Sequence, residues 1–215
     1  NALDVPEVKV RPYIKQTPFS DVFQQIRKQN WVMAIKLADD HNNQALSSYI
    51  RWLDITRPGS KHNFKYLVEF FNNHKNWPKK EILIEKIESS INKDITTDSL
   101  VNWFEKNPPQ TSKGSIDYLE ALIKKNSSFD KKKLITKIWV EKNLTASQQK
   151  YFIKNYSRYW TQDDNWKRFN RLLNEGKNVS ARRTLNRIYG DLRKLGEAKY
   201  ALSRRAPNVS SLINK

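Results

Sequence analysis

The chain contains no cysteine, which excludes both a disulfide framework and a thiolate metal site. Glycine and proline are sparse, five and eight in 215 residues. No long stretch alternates β-branched with polar residues, so sheet is not expected. No apolar run approaches the roughly 20 residues that cross a bilayer, so no membrane span is expected. The text starts at Asn1 rather than Met, without a basic-then-apolar leader; the expectation is a mature or trimmed form, with an earlier signal peptide left open. There is no glycine-rich phosphate loop, which leaves nucleotide binding unsupported, and no cofactor is expected. Hydrophobic residues make up only 38%, lean for a compact globule but suited to an array whose units touch only their neighbours.

What the chain does have is positive charge. Forty lysines and arginines against 22 acids give a net charge of +18. Such an excess favours anionic partners, whether nucleic acid, anionic lipid head groups or an acidic polymer. The same composition, rich in lysine and asparagine, is also what an AT-rich genome produces without any selection on binding.

Hydrophobic residues recur at helical spacing along most of the chain. Residues 1–20 carry Pro6, Pro12 and Pro18 with little periodicity and read as an extended leader. From Asp21 apolar faces follow one another: Phe23 and Ile26, a break at Gln29 and Asn30, then Trp31, Ala34, Leu37 and Ala38, then Ala45, Leu46, Tyr49, Ile50 and Leu53. Pro58 and Gly59 spell a turn, and Ser60 stands where it would cap a helix carrying Phe64, Leu67, Val68 and Phe71. Pro78 takes a first-turn position ahead of Leu83, Ile84, Ile87 and Ile91. Thr96 or Thr97 caps the segment of Leu100, Val101, Trp103 and Phe104, which Pro108 and Pro109 end, and Gly114 reads as a further break. Helices are predicted over 116–125, 131–142 and 146–157, the last with Thr145 and Gln148 at capping-box spacing. In 164–207, Trp166, Phe169, Leu172 and Leu173 form one face, and Gly176 interrupts the pattern. Ala181, Leu185 and Ile188 form a second face, and Leu192, Leu195, Ala198, Ala201 and Leu202 a third. About a dozen short helices result, too many and too short for a four-helix bundle. The expected fold is all-α, with short helical hairpins stacked into a right-handed, solenoid-like α-superhelix over 21–215.

One sequence of landmarks runs nearly the length of the chain. It passes through Trp31, Val32, Met33 and Ala34 with Leu37 and Ala38, then Tyr49, Ile50, Arg51, Trp52 and Leu53. Phe70 and Phe71 before Trp77 and Pro78 continue it, as do Trp103 and Phe104 with Pro108, Pro109, Gln110, Thr111 and Gly114, and then Trp139. It is densest in Trp166, Lys167, Arg168, Phe169, Asn170, Arg171, Leu172 and Leu173, Gly176, Ala181, Arg182 and Arg183, and Ala198 through Leu202. In order and spacing these resemble the N-terminal superhelical region of the soluble lytic transglycosylases, bacterial enzymes that cleave peptidoglycan glycan strands. Ser203, Arg204, Arg205, Ala206 and Pro207 are similar to the versions found in alphaproteobacteria. Two positions depart from the family pattern: Lys137 where an arginine commonly precedes the tryptophan, and Asn174 where a tryptophan often follows the two leucines.

The resemblance implies a periplasmic protein whose partner is peptidoglycan. It also implies chemistry located elsewhere: the family's catalytic glutamate, acid and then base in forming a 1,6-anhydro sugar, belongs to a lysozyme-like C-terminal domain. There it sits in a Glu-Ser pair followed downstream by Gly-Leu-Met-Gln. Here the one Glu-Ser is Glu88 and Ser89, in helical text, with no Gly-Leu-Met-Gln after it and Met33 as the sole methionine. Glu88 is therefore expected to face solvent in mid-array. No catalytic residue is assigned, and the catalytic domain is expected beyond Lys215.

Other candidates have plain structural readings. The acid pairs Asp39 with Asp40, Asp163 with Asp164, and Glu85 with Glu88 raise a two-carboxylate glycosidase idea. Asp163 and Asp164, however, follow Thr161 at a helix start, where acids favour the dipole. His41, His62 and His74 lack the spacing of a zinc pair and are read as surface residues, with no metal site. The seven tryptophans are read as core, with a few able to stack on sugar rings. The anion-binding or murein-contacting candidates are Arg168, Arg171, Arg182, Arg183 and Arg187, in a series continued by Arg193, Arg204 and Arg205. The same series also fits charge placed at helix ends and in solvent. A basic helical-repeat module that binds nucleic acid or a protein partner is the competing reading.

Overall fold

A computed structural model describes residues 18–204, which form twelve α-helices and one 3-10 turn, with no strand among them. Up to residue 17, the leader expected over 1–20 lies outside the described residues, as do Arg205, Ala206 and Pro207. No helix among the described residues is long and apolar enough to cross a membrane. The chain separates into two compact units that divide between Lys61 and His62.

The first unit contains α1 (Ser20–Arg27), α2 (Trp31–Asp40) and α3 (Gln44–Thr56), each packed on the next. Its core is Val22, Ala34, Ala38, Leu46 and Ile50, the small alanines letting the helices approach closely. The break after α1 is a left-handed helix stop. Gln29 adopts φ 58°, its N–H bonds to the Ile26 carbonyl at 2.9 Å, and the Asn30 N–H bonds to that of Gln25 at 2.9 Å.

The second unit runs through α4 (Phe64–Asn73), α5 (Lys80–Ser90), α6 (Thr97–Lys106), α7 (Ser112–Lys124), α8 (Lys131–Glu141) and α9 (Ala146–Tyr156). The 3-10 turn Ser157–Tyr159, α10 (Gln162–Asn174), α11 (Asn178–Leu185) and α12 (Gly190–Ser203) follow. Chain neighbours pack in α4 on α5, α6 on α7, α7 on α8, α10 on α11 and α11 on α12, and next-but-one neighbours meet where α5 packs on α7, α8 on α10 and α10 on α12. Stacked hairpins give that pattern. The stop seen after α1 recurs after α7, with Asn126 at φ 53°, and after α10, with Gly176 at φ 69°.

Most helices begin on a side-chain cap. Asn30, Asn43, Asn63, Thr96, Thr111, Asp130, Thr145 and Thr161 each accept a bond from the backbone N–H three residues on, a contact worth about 1 kcal/mol apiece. Thr145 with Gln148 and Thr161 with Asp164 form complete capping boxes. The abundance of asparagine and threonine thus has a structural use in addition to any genomic cause.

Several expectations are corrected. Ser60 does not open α4; its buried hydroxyl donates to the carbonyls of Ile55 and Arg57 at the end of α3, and Asn63 caps α4. Pro78 precedes the first turn of α5 instead of entering it, because Lys79 is the cap. Leu195 and Leu202 are exposed on α12, whose buried side is made by Gly196, Ala198 and Ala201. His62 and His74 are half-buried, packed on the rings of Tyr66 and Phe70 respectively.

The largest correction concerns Glu88 and Gly114. Ile84, Glu88 and Ile91 fall at i, i+4 and i+7, so Glu88 shares the inner stripe of α5 and is fully buried rather than solvent-facing. Its carboxylate accepts the Gln110 N–H and the Thr111 N–H, both at 2.7 Å, together with the Thr111 hydroxyl. It therefore meets the positive end of α7, where free amides and the helix dipole favour an anion. Gly114 is not a break; it lies inside α7, directly beneath that carboxylate, and a Cβ there would collide with the Glu88 side chain. Glu88→Gln is expected to cost about 2 kcal/mol, since an amide NH2 then opposes backbone donors. Gly114→Ala is expected to cost about 2 kcal/mol through overpacking. Urea unfolding checks both, and unchanged midpoints would contradict this assignment.

Candidate functional site

The five arginines singled out in the sequence are separated by the fold into three environments. Arg168 and Arg171 project from α10 onto the end of α8. Arg168 is fully buried, with its guanidinium 4.4 Å from the centre of the Trp139 ring. Its Nη1 donates to the carbonyls of Trp139 and Lys142. Arg171 donates from Nε to the Val140 carbonyl at 2.7 Å and from Nη1 to Asn143 and Glu175. Together they satisfy the carbonyls that the last turn of α8 leaves open. Of the two readings of the arginine series, these two residues take the helix-end one: α10 packs on α8, with Arg168 fully buried and Arg171 partly buried there.

Burial, reinforced by the nearby charges of Arg171 and Arg183, pushes the Arg168 guanidinium down to about 9, still charged at neutral pH. The hydrogen bond from Arg171 holds the Glu175 carboxyl below the usual carboxylate range. Arg182 is engaged differently: it pairs with Glu197, which also takes Arg193 at 3.0 Å, and it lies over the Tyr200 ring.

Arg183 and Arg187 remain, and both open onto a groove beside α11. Two cavities of about 490 and 500 Å³ share Arg183, Asn186 and Arg187. The first is completed by Trp160, Thr161, Gln162, Asn165 and Tyr189 with Ser157; the second by Lys150, Lys154 and Gln149 with Ala146 and Ile153. No carboxylate lines either one. The two larger cavities, about 930 and 730 Å³, carry both signs, with Glu69 and Asp94 in one and Asp130, Glu141 and Asp164 in the other. An acid-free lining concentrates positive potential where a ligand would sit.

The groove is built on fixed parts. Arg183 donates from Nε to Gln149 and from Nη2 to Ser180, which orients its guanidinium. Trp160 stacks on Trp139 at 4.3 Å, and the Trp139 indole donates to Asn165 at 2.9 Å. The Gln162 amide clamps the backbone of Tyr189 from both sides, donating to its carbonyl at 3.0 Å and accepting from its N–H at 3.3 Å. The Tyr189 ring nevertheless stays 70% exposed. Arg187 is exposed. The sequence pointed to Arg183 and Arg187 but not to Lys150, Lys154, Gln162 or Tyr189, which sit on other elements and share no motif with them.

Among the described residues no group of His, Asp and Glu is placed to hold a metal ion. The one carboxylate with the sequence context of a catalytic acid, Glu88, is buried against the start of α7. No family model, curated protein or solved structure matches this chain.

Arg168→Lys is expected to destabilise the fold by about 2 kcal/mol, because an ammonium cannot lie as a flat plane on Trp139 while one nitrogen reaches the carbonyls of Trp139 and Lys142. Arg187→Ala is expected to leave stability within about 0.5 kcal/mol of the parent. Denaturant titration of the two variants checks the contrast.

Proposed function

We propose that this chain is the noncatalytic helical scaffold of a periplasmic lytic transglycosylase, holding a lysozyme-like catalytic domain that follows it and contacting peptidoglycan through its basic surface. The observation that carries the reading is an open, acid-free cationic groove on a stack of short helices, while the only Glu-Ser acid is buried as a structural ligand of α7. A platform needs the former and a glycosidase would need the latter exposed. The chain-long resemblance through the landmarks of α2, α3, α6 and α10 to α12 supports the same reading.

The competing reading, a helical module for nucleic acid, draws on the net charge of +18. It predicts DNA or RNA affinity that falls steeply with salt. For the scaffold reading, residues 1–215 incubated with purified murein are expected to co-sediment with it and to release no anhydro-muropeptides. Release of anhydro-muropeptides, or absence of co-sedimentation, would overturn it.

A further inference from the structure

We infer that the groove beside α11 is a binding site for a carboxylate-bearing oligosaccharide, with Arg183 and Arg187 taking a carboxylate and the Tyr189 ring stacking on a sugar face. The proposal rests on the scaffold reading only for the natural source of that oligosaccharide; the recognition chemistry stands on the groove itself.

The helix ends decide which cations are available. At the end of α8, arginines are consumed in bonding open carbonyls. At the end of α11 the N–H groups of Asn186, Arg187 and Ile188 bond the carbonyls of Arg182, Thr184 and Leu185, and Arg193 from α12 adds a bond to the Leu185 carbonyl. Arg183 and Arg187 are thereby spared from capping. Arg183 keeps Nη1 after orienting itself on Gln149 and Ser180, and Arg187 keeps its whole fork, the geometry that matches a carboxylate.

The remaining groups favour a sugar over a nucleic acid. Asn186 offers an exposed amide suited to hydroxyl and acetamido groups, and Asn165, whose oxygen is held by Trp139, adds its NH2. The ring of Trp160 is already stacked on Trp139 and Phe152, which leaves Tyr189 as the one widely exposed aromatic of the groove. A single platform suits one sugar ring and falls short of the ladder that successive bases use. Lys150 and Lys154 continue the positive lining into the adjoining cavity, so charges recur at intervals along a longer ligand.

Binding of residues 1–215 and its Arg187→Ala and Tyr189→Ala variants would be measured by calorimetry against four probes. These are oligogalacturonate, solubilised murein disaccharide-peptides, neutral chitooligosaccharide and single-stranded DNA. Both carboxylated sugars are expected to bind, about tenfold more weakly to Arg187→Ala and about fivefold more weakly to Tyr189→Ala, with chitooligosaccharide at least about tenfold weaker than either. Thermal midpoints of both variants are expected to match the parent. The inference is overturned if neither carboxylated sugar binds, if neither substitution weakens them, or if chitooligosaccharide binds as well. Tighter binding of DNA with the same loss in Arg187→Ala would also overturn it, assigning the groove to nucleic acid. Murein binding that survives both substitutions sinks the groove and leaves the scaffold reading standing. Oligogalacturonate bound in the groove, with murein fragments ignored, does the reverse.

Discussion

Short helices leave many ends, and satisfying those ends is the constraint on which this structure depends. Twelve helices of eight to fourteen residues each present backbone donors at one end and acceptors at the other without intrahelical partners. In a stack these ends meet neighbouring helices as well as water. The chain answers locally with asparagine and threonine caps and at long range with charged side chains: Glu88 from α5 on the start of α7, and Arg168 and Arg171 from α10 on the end of α8. Lys113 and Lys142 add to this by donating to the carbonyls of Ile91, Pro109 and Gln110. These contacts join elements more than twenty residues apart, so they fix how successive helices are seated on one another.

The same constraint partitions the positive charge. Arginines drawn into helix ends or paired with Glu197 are already engaged, whatever they contribute to the net charge. Those beside α11 escape because that end is closed by its own backbone and by Arg193, and no carboxylate lines the groove to neutralise them. Net charge therefore overstates the unengaged cationic surface, and the position of each arginine relative to a helix end decides what it contacts.

The helical text was legible because its signals are local. Apolar spacing located the helices, Thr145 with Gln148 announced a capping box, and Gly176 marked a stop. The break at Gln29 and the helix end before Asn126 were legible from spacing alone, although neither residue is the glycine that favours φ above zero. Glu88 could be seen to share a stripe with Ile84 and Ile91, but whether a carboxylate there is tolerable depends on the amides of Gln110 and Thr111, supplied from a different helix. Gly114 was misread for the matching reason: its need for a missing Cβ comes from Glu88, not from a turn. Arg168 and Arg187 look alike in the text and differ only in what packs against them. The groove was half legible: its two arginines stood out, while Tyr189 and Gln162 gained meaning only once α10 and the segment after α11 were adjacent.

Helix ends consume some arginines and leave others free, and graded modification with an arginine-selective dicarbonyl, read by mass spectrometry, separates the two groups. Arg187 should react early in the native protein, while Arg168 and Arg171 should resist until denaturant unfolds the chain. Modification of Arg168 and Arg171 at the rate of Arg187 under native conditions would contradict the account.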